Sequence, residues 1–196
     1  MKIKFTDLYK ANKYSAGDIH KKINKGILNL IKNSSFVGGK EVVTFENSFA
    51  KFTNSKYCIG VANGTDALEI AIEALNLKKG SEVIVPANTW ISTAEAVTRH
   101  GLKVVFCDIS LDNYTIDIKD LENKICNKTS AIMVVHLYGY PANLEKIKQI
   151  IKNKKIKIIE DCAQAHGTKI KNEHVGNFGD IGTFSFFPGK NLGAYG

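Results

Sequence analysis

Apolar residues in the first quarter of the chain recur at the spacing of an amphipathic helix. Five of them indicate one helix near residues 18–32: Ile19, Ile23, Ile27, Leu30 and Ile31. A polar, glycine-containing stretch over 33–40 predicts a loop. A second set indicates another helix: Val42, Phe45, Phe49 and Phe52. Residues 1–56 are therefore expected to form an N-terminal helical segment.

From residue 57 onward, short apolar runs alternate with helical patterns. Helices are predicted at 66–75, 89–101, 117–124 and 143–152. Strands are predicted at 57–62, 82–87, 102–109, 130–138, 155–162 and 181–187. The strand runs are nearly continuous in apolar residues, as in strands that helices cover on both faces of a parallel sheet. The pattern predicts an α/β fold with a mostly parallel sheet sandwiched by helices.

The composition is that of an ordinary globular protein, with 44% apolar and 23% charged residues among 196. No apolar run approaches the roughly 20 residues that span a bilayer. The amino-terminal stretch lacks the apolar core of a secretion signal. The four cysteines form no CxxC pair, and Cys58, Cys107 and Cys162 are interpreted as buried free thiols. We expect a cytoplasmic protein with no membrane partner and no metal site.

The net charge of +8 raises the question of a nucleic-acid partner. Arg99 is the only arginine among the 27 basic residues, however. Recognition of phosphates and bases favours the bidentate guanidinium of arginine, and the excess here is lysine. The composition therefore argues against a nucleic-acid partner.

In parallel α/β sheets, ligands bind beyond the carboxyl ends of the strands, so residues that follow a strand are candidates for a site. Gly64, Thr65 and Asp66 lie between the strand predicted at 57–62 and a helix. A glycine, free helix amides and a threonine hydroxyl suit a phosphate group. A plain helix cap by Thr65 or Asp66 explains the same residues, and on this cluster alone it is the better interpretation.

Two further clusters follow other strands. Trp90, the only tryptophan, stands where a flat ligand could stack on its ring, and a half-buried core aromatic is an equal alternative. The segment EDCAQAHG (160–167) places Asp161, Gln164 and His166 after an apolar strand, where polar side chains are costly without partners. One acid could cap a helix, but three such side chains exceed what a cap needs. A functional role is favoured for this cluster.

The fourth cluster is the bend TFSFFPGKNLGAYG (183–196), which contains Ser185 and Lys190. A lysine that loses hydration among aromatic and glycine neighbours becomes a nucleophilic amine, although most lysines in loops are simply solvated. A phosphate cradle, a stacking aromatic, a carboxylate for a ring nitrogen and a lysine amine are together what pyridoxal 5′-phosphate (PLP) requires. PLP is therefore the predicted cofactor.

The order of the motifs GTDAL, VPANTW, EDCAQAHG and FSFFPGKNLGAYG resembles the DegT/DnrJ/StrS family of PLP-dependent sugar aminotransferases. The resemblance runs through nearly the whole chain and includes FVGGKEVVTFENSFA near the front. It implies a fold-type I, aspartate aminotransferase-like large domain over residues 57–196, which would act on nucleotide-linked keto-sugars. It also implies a homodimer whose active sites borrow residues from the partner subunit.

The resemblance assigns roles around the cofactor ring. Lys190 would form the internal aldimine with PLP and shuttle protons. Asp161 would pair with the pyridine nitrogen and keep it protonated, so that the ring can act as an electron sink. Gln164 would hydrogen-bond the phenolic oxygen.

The same resemblance assigns residues to the rest of the cofactor. Gly64, Thr65 and Ser185 would hold the phosphate, and Trp90 would stack on the ring in a slot that the family fills with an aromatic. His166 matches the motif and is assigned only to the lining of the site.

The resemblance further implies that the large domain is incomplete here and that a C-terminal small domain is absent from these residues. We therefore expect negligible turnover from the 196 residues alone. An alternative from another class is a catalytically inactive PLP-binding or regulatory module. A lesser alternative is the family's PLP-dependent sugar dehydratase branch, in which histidine replaces the lysine, so Lys190 argues against it.

The leading hypothesis is transfer of an amino group, from glutamate, to a keto-deoxysugar nucleotide in surface glycan biosynthesis. The stretches HLYG (136–139) and FPGKNLGA (187–194) resemble members that aminate 3-oxo-deoxysugars on dTDP more than members that aminate 4-keto sugars. A dTDP-3-oxo-hexose is therefore the expected substrate.

Overall fold

The computed structural model describes residues 19–195 together with Asp7, Leu8 and Lys10. Its contacts divide the chain into two compact units, Met1–Phe49 and Ala50–Gly196. Helix α1 spans Ile19–Lys32 and helix α2 spans Lys40–Thr53, so α2 crosses the boundary between the units. The helices predicted near 18–32 and over the second apolar set are confirmed. The assignment of 1–56 to a separate segment stays a prediction.

The second unit alternates helices with strands. Its helices are α3 (Gly64–Ala74), α4 (Ile91–Arg99), α5 (Ile118–Lys124) and α6 (Leu144–Ile151), with a 3-10 helix at Leu137–Gly139. The main strands are β1 (Glu82–Pro86), β2 (Lys103–Cys107), β3 (Thr129–Val135), β4 (Lys157–Asp161) and β7 (Ile181–Thr183). A hairpin of β5 (Lys169–Ile170) and β6 (Glu173–His174) was not predicted, because two-residue strands are too short to show a periodic pattern. Among the described residues, no helix combines the length and apolar character that a membrane crossing needs.

The five main strands form one sheet in the order β2-β1-β3-β4-β7, and all neighbouring pairs are parallel. Parallel neighbours need a crossover connection, which α4, α5 and α6 supply between successive strands from β1 to β4. Since all five strands point the same way, their carboxyl ends meet at one edge of the sheet. Residues that follow the strands are therefore brought together there.

The strands are buried on both faces because successive side chains alternate between two helix layers. Ile159 of β4 belongs to a cluster with residues of α3 and α4, such as Leu68. Its neighbour Ile158 belongs to a second cluster with residues of α5 and α6, such as Leu121. Fully burying such a side chain stabilises the fold by about 1.5–3 kcal/mol. Burial on both faces explains the nearly continuous apolar runs and confirms the predicted α/β architecture.

The strand predicted at 57–62 is not a strand in the structure. None of the sheet strands in the described part of the chain pairs with it, and Tyr57 and Ile59 are 74% and 78% exposed. A strand requires a neighbouring strand for its N–H and C=O groups, so an apolar run alone was insufficient. The strand predicted at 181–187 is also shorter, because β4 ends at Asp161, the partner of Thr183.

The four cysteines are free thiols. Cys107 and Cys162 are buried, as predicted, but Cys58 is only half-buried because the 57–62 segment joins no sheet. Burial, reinforced by the nearby carboxylate of Asp120, raises the pKa of Cys107 to about 12. This thiol is therefore protonated and unreactive at neutral pH.

Candidate functional site

The carboxyl edge of the sheet collects several of the polar residues that the sequence singled out. Asp161 ends β4 and pairs in register with Val135 of β3 and Thr183 of β7. Ser185 lies just beyond β7, and α4 follows β1 after a short loop. The amino terminus of α3 packs against Ser185 at this edge. Parallel strand direction is the reason that these distant segments meet.

Asp161 lies at this edge, at the end of β4, and is only 6% exposed. Its Oδ1 accepts a hydrogen bond from the Ala163 amide at 3.1 Å, and its Oδ2 accepts one from Thr93 Oγ1 at 3.0 Å. Burial raises the pKa of the carboxyl above its ordinary value, while those two bonds and the positive charge of Lys190 oppose the rise. The Ala163 bond is a local turn contact, but the Thr93 bond joins residues of different elements.

The α3 terminus and Ser185 form a compact polar corner. Asn63 caps α3, because its Oδ1 accepts the Asp66 amide at 2.9 Å. The interpretation of Thr65 or Asp66 as the cap is therefore wrong. Thr65 instead donates its hydroxyl to Ser92 Oγ at 2.9 Å. A Cβ atom on Gly64 would lie 2.9 Å from Ser185 Cβ, so the approach of helix and serine requires glycine.

Lys190 lies in the bend after β7 and is half-buried. Two backbone hydrogen bonds close this bend: Lys190 N to Phe187 O and Ala194 N to Phe186 O, both at 2.8 Å. Phe187 is exposed, so it does not shield the lysine in the way that the FFPGK sequence suggests. The charge of Lys190 nevertheless acts on both Asp161 and His166. The bend therefore brings the amine into the electrostatic field of the site.

Gln164 and His166 lie on the segment that leaves β4. Gln164 Oε1 accepts the Tyr138 amide at 2.8 Å. The His166 ring packs against Phe184 and Phe186, with ring centroids 5.5 Å and 5.2 Å apart. Burial lowers the pKa of His166, although polar interactions with the Asn191 side chain and the Ser185 backbone oppose that shift. His166 is thus a largely neutral ring beside Ser185 at neutral pH.

Trp90 immediately precedes α4, and its side chain is 72% exposed. The alternative of a half-buried core aromatic is therefore wrong. The ring has the accessibility that stacking on a flat ligand needs. Its role in binding stays a prediction.

No role was predicted from the sequence for Glu160, whose carboxylate is fully buried. It accepts hydrogen bonds from His136 Nε2 at 3.0 Å, the Gly176 amide at 2.8 Å and the Phe178 amide at 2.7 Å. Burial alone would raise the pKa of Glu160, but the bonds from His136 and the backbone outweigh it and lower the pKa. Strand alternation, which places Glu160 opposite Asp161, was the available signal.

His136, Glu160 and Cys162 also lie close enough to suggest a metal site. The Ala142 amide donates to His136 Nδ1 at 3.1 Å, so the proton of this ring is on Nε2 and faces Glu160. Burial raises the pKa of Cys162 well above its ordinary value, which favours a protonated thiol. The cluster is therefore a hydrogen-bonded structural network that ties the 176–178 turn to β4.

The comparisons with known proteins agree with this architecture. The family model for the DegT/DnrJ/EryC1/StrS aminotransferase family matches residues 17–196. A dTDP-3-amino-3,6-dideoxy-alpha-D-galactopyranose transaminase from Aneurinibacillus thermoaerophilus is 44% identical over 184 residues, covering 94% of this chain and 50% of that protein. The chain spans about half the length of the curated relatives it matches.

Solved structures extend the likeness to three dimensions. S. venezuelae DesV, in complex with a ketimine intermediate, aligns with a TM-score of 0.92 at 33% identity, covering 100% of this chain and 52% of that one. E. coli GDP-4-keto-6-deoxy-D-mannose-3-dehydratase, with bound hydrated PLP, aligns with a TM-score of 0.80 at 37% identity, covering 84% and 44%. The fold-type I prediction is thereby confirmed.

The residues at the sheet edge fit PLP. Because Gly64 has no side chain, the α3 terminus can approach Ser185 closely. Backbone amides of the helix terminus and the Ser185 hydroxyl are donors that suit a phosphate group. A carboxylate offers about four acceptor positions, and Asp161 uses one on each oxygen, so lone pairs remain for a ring N–H. With the matching family model and these relatives, the chain belongs to the DegT/DnrJ/EryC1/StrS family of PLP-dependent sugar aminotransferases.

Proposed function

We propose that this chain carries the cofactor site of an aminotransferase that moves an amino group from glutamate to a keto-deoxysugar linked to a nucleotide. The observation that carries the proposal is the meeting of three groups at the sheet edge: the buried Asp161 carboxylate, the Gly64–Ser185 corner and the Lys190 bend. When bound, PLP supplies an electron-withdrawing ring. The protein residues bind that ring, orient it and move protons.

Asp161 is proposed to accept the N–H of the pyridine ring. Its burial supports this role, because a charge pair in a site of low dielectric is stronger than one in water. Gln164 is proposed to donate to the phenolic oxygen. Since its Oε1 is occupied by the Tyr138 amide, its amide nitrogen provides the donors.

The phosphate is proposed to bind Gly64, Thr65 and Ser185. Thr65 donates to Ser92 in the protein alone, so we expect its hydroxyl to rotate when an anion arrives. Lys190 is proposed to bind the cofactor covalently and to move a proton at its Nζ. Trp90 would cover the ring, and His166 would line the site beside Ser185.

One feature, Lys190, supports an aminotransferase over the family's dehydratase branch. The E. coli dehydratase is 37% identical and therefore keeps that reaction as the second candidate. Lys190, however, stands where the resemblance places histidine in dehydratases. An amine at that position can form a covalent bond to PLP and can then be displaced from PLP by the amino group of the donor. An imidazole does not form such a bond.

A dTDP-linked 3-oxo-deoxysugar is the proposed substrate, and glycan biosynthesis the proposed process. The support is the likeness of 136–139 and 187–194 to members of that branch, together with the dTDP-3-amino-sugar product named for the A. thermoaerophilus relative. A cytoplasmic homodimer is proposed from the family resemblance. Sedimentation of the purified protein tests the dimer.

Borohydride reduction of the PLP-loaded protein tests the central proposal. Peptide mapping should find the reduced cofactor attached to Lys190. In the complete protein, glutamate should convert bound PLP to its amine form. Failure of attachment together with failure of conversion would favour an inactive module. Attachment followed by loss of a sugar hydroxyl, without net amination, would favour the dehydratase. Assays with dTDP-3-oxo and 4-keto sugars then separate the substrates.

A further inference from the structure

Thr93 is a buried hydroxyl outside every role described above. It lies in the first turn of α4 and is 0% exposed. Its Oγ1 donates to Asp161 Oδ2 at 3.0 Å across 68 positions of sequence. A buried hydroxyl aimed at a carboxylate does more than fill space, because such a bond to a charged group is stronger than one between neutral groups.

The direction of hydrogen bonding extends to a second threonine. Thr89 Oγ1 lies 2.9 Å from Thr93 Oγ1, and distance alone allows either to donate. Thr93 has one hydroxyl proton, and an ionised Asp161 can only accept it. Thr93 must therefore accept from Thr89, and the protons run from Thr89 through Thr93 to Asp161. Donors aligned in this way strengthen one another.

Two donors define the plane of the Asp161 carboxylate. The Ala163 amide fixes Oδ1 from within the same segment, and Thr93 fixes Oδ2 from α4. Burial alone would favour the neutral acid, and these bonds favour the charged form. The positive charge of Lys190 also acts on the carboxyl. Thr93 is the only one of the two hydrogen-bond donors that a side-chain substitution can remove.

We propose that Thr93 is a positioning residue for the cofactor, whose hydroxyl orients the Asp161 carboxylate and holds it in the charged form that the pyridine nitrogen needs. This inference rests on the proposed PLP site. Thr89 donates its hydroxyl proton to Thr93 and so fixes the direction in which the Thr93 hydroxyl points. Thr93 contacts Asp161, so its proposed effect on PLP passes through that carboxylate.

The test uses PLP labelled with ¹⁵N at the ring nitrogen, whose chemical shift reports protonation of that atom. Titrations with pH would compare the unsubstituted protein with Thr93→Val, which keeps the shape and removes the hydroxyl, and with Thr93→Ser, which restores it. Thr98→Val is the matched control, because Thr98 lies on the same helix and donates to Glu95 O at an exposed position. The PLP dissociation constant provides a second readout.

In Thr93→Val, the acid dissociation constant of the ring nitrogen should rise by about tenfold to a hundredfold, so that the nitrogen loses its proton more easily. This is the size expected for a hydrogen bond to a charged group. Thr93→Ser and Thr98→Val should titrate like the unsubstituted protein. If Thr93→Val does not fold, Thr89→Ala at a half-buried position should give a smaller change in the same direction. An unchanged ring signal in the folded variants would overturn the inference.

The same experiment separates this inference from the proposed function. No PLP binding by the unsubstituted protein would overturn both. PLP that binds and whose nitrogen responds to Asp161→Asn, but not to Thr93→Val or Thr89→Ala, would overturn the role of Thr93 alone. A melting temperature lowered by Thr93→Val without a change in the ring signal would assign Thr93 a purely structural role.

Discussion

Glu160 and Asp161 are consecutive residues of β4, yet their carboxylates serve opposite faces of the sheet. Asp161 accepts from Thr93 of α4, whereas Glu160 accepts from His136 and from the turn before β7. Their pKa values also move in opposite directions: burial raises that of Asp161, while donors that outweigh burial lower that of Glu160. Glu160 thus stabilises the fold, whereas Asp161 is the carboxylate proposed to bind the cofactor.

Replacing Lys190 should separate covalent attachment from binding. In Lys190→Ala, transamination and borohydride trapping should be lost from the complete protein, while PLP still binds through the phosphate contacts. Lys154→Ala, at an exposed lysine before β4, is the control and should keep both properties. The absorbance spectrum and a glutamate-dependent assay measure the two effects. A Lys190→Ala protein that is active with an unchanged spectrum would contradict the assignment.

Asp161→Asn should reduce the rate by orders of magnitude, because a neutral amide cannot keep the ring nitrogen protonated. Because the pKa of Asp161 is raised in the folded state, the protonated acid favours the folded state and the charged carboxylate favours the unfolded state. The stability that the protonated acid contributes is lost as the pH rises through the folded pKa. Asp161→Asn should therefore leave the melting temperature at pH 7 unchanged or higher. A mere turn cap would instead lose about 1 kcal/mol of stability and keep its rate.

Glu160→Gln should show the reverse pattern. A glutamine would place an NH₂ group where backbone amides now donate, so buried donors would face one another. We expect the free energy of unfolding to fall by about 2–4 kcal/mol, measured by urea denaturation. The ¹⁵N signal of bound PLP should not move. A stable Glu160→Gln protein with a changed ring signal would show that Glu160 acts at the cofactor.

The stability of the fold should also depend on Glu160 at low pH. Its folded pKa is lower than the ordinary value, so the unfolded chain binds the proton more readily. The contribution is present above the ordinary glutamate pKa of about 4.3 and is lost as the pH falls through the folded pKa. Urea denaturation between neutral and acidic pH should show this loss. In Glu160→Gln, the pH dependence should be shallower in that window.

Gly64→Ala should weaken PLP binding. The new Cβ would meet Ser185 Cβ at 2.9 Å, so the α3 terminus and the serine must separate. Overpacking of this kind costs about 1–3 kcal/mol, and a cost of that size in the bound state corresponds to roughly a fivefold to hundredfold loss of PLP affinity. Gly26→Ala, at a helical glycine with nothing within 4 Å of its Cβ position, is the control. Equal PLP affinities in the two variants would show that Gly64 is not part of the phosphate-binding site.

Much of the fold followed from local pattern. Helices such as α4 and α6 and strands such as β1 lie where periodicity and apolar runs predicted them, because burial on one or two faces imposes a pattern on neighbouring residues. The family and its cofactor could also be predicted from the sequence, because the order of the motifs is specific to the family. The run at 57–62 failed because pairing depends on a partner strand, which an apolar run does not specify.

The sequence by itself determined most of the helices and strands, the fold class, the family and the set of candidate side chains. Only the tertiary structure decided which of those side chains meet and which face each one serves. The Thr93–Asp161 bond and the Gly64–Ser185 contact join residues far apart in the chain. Such contacts depend on the order of strands in the sheet and on the direction in which each helix returns. Local periodicity carries no information about either.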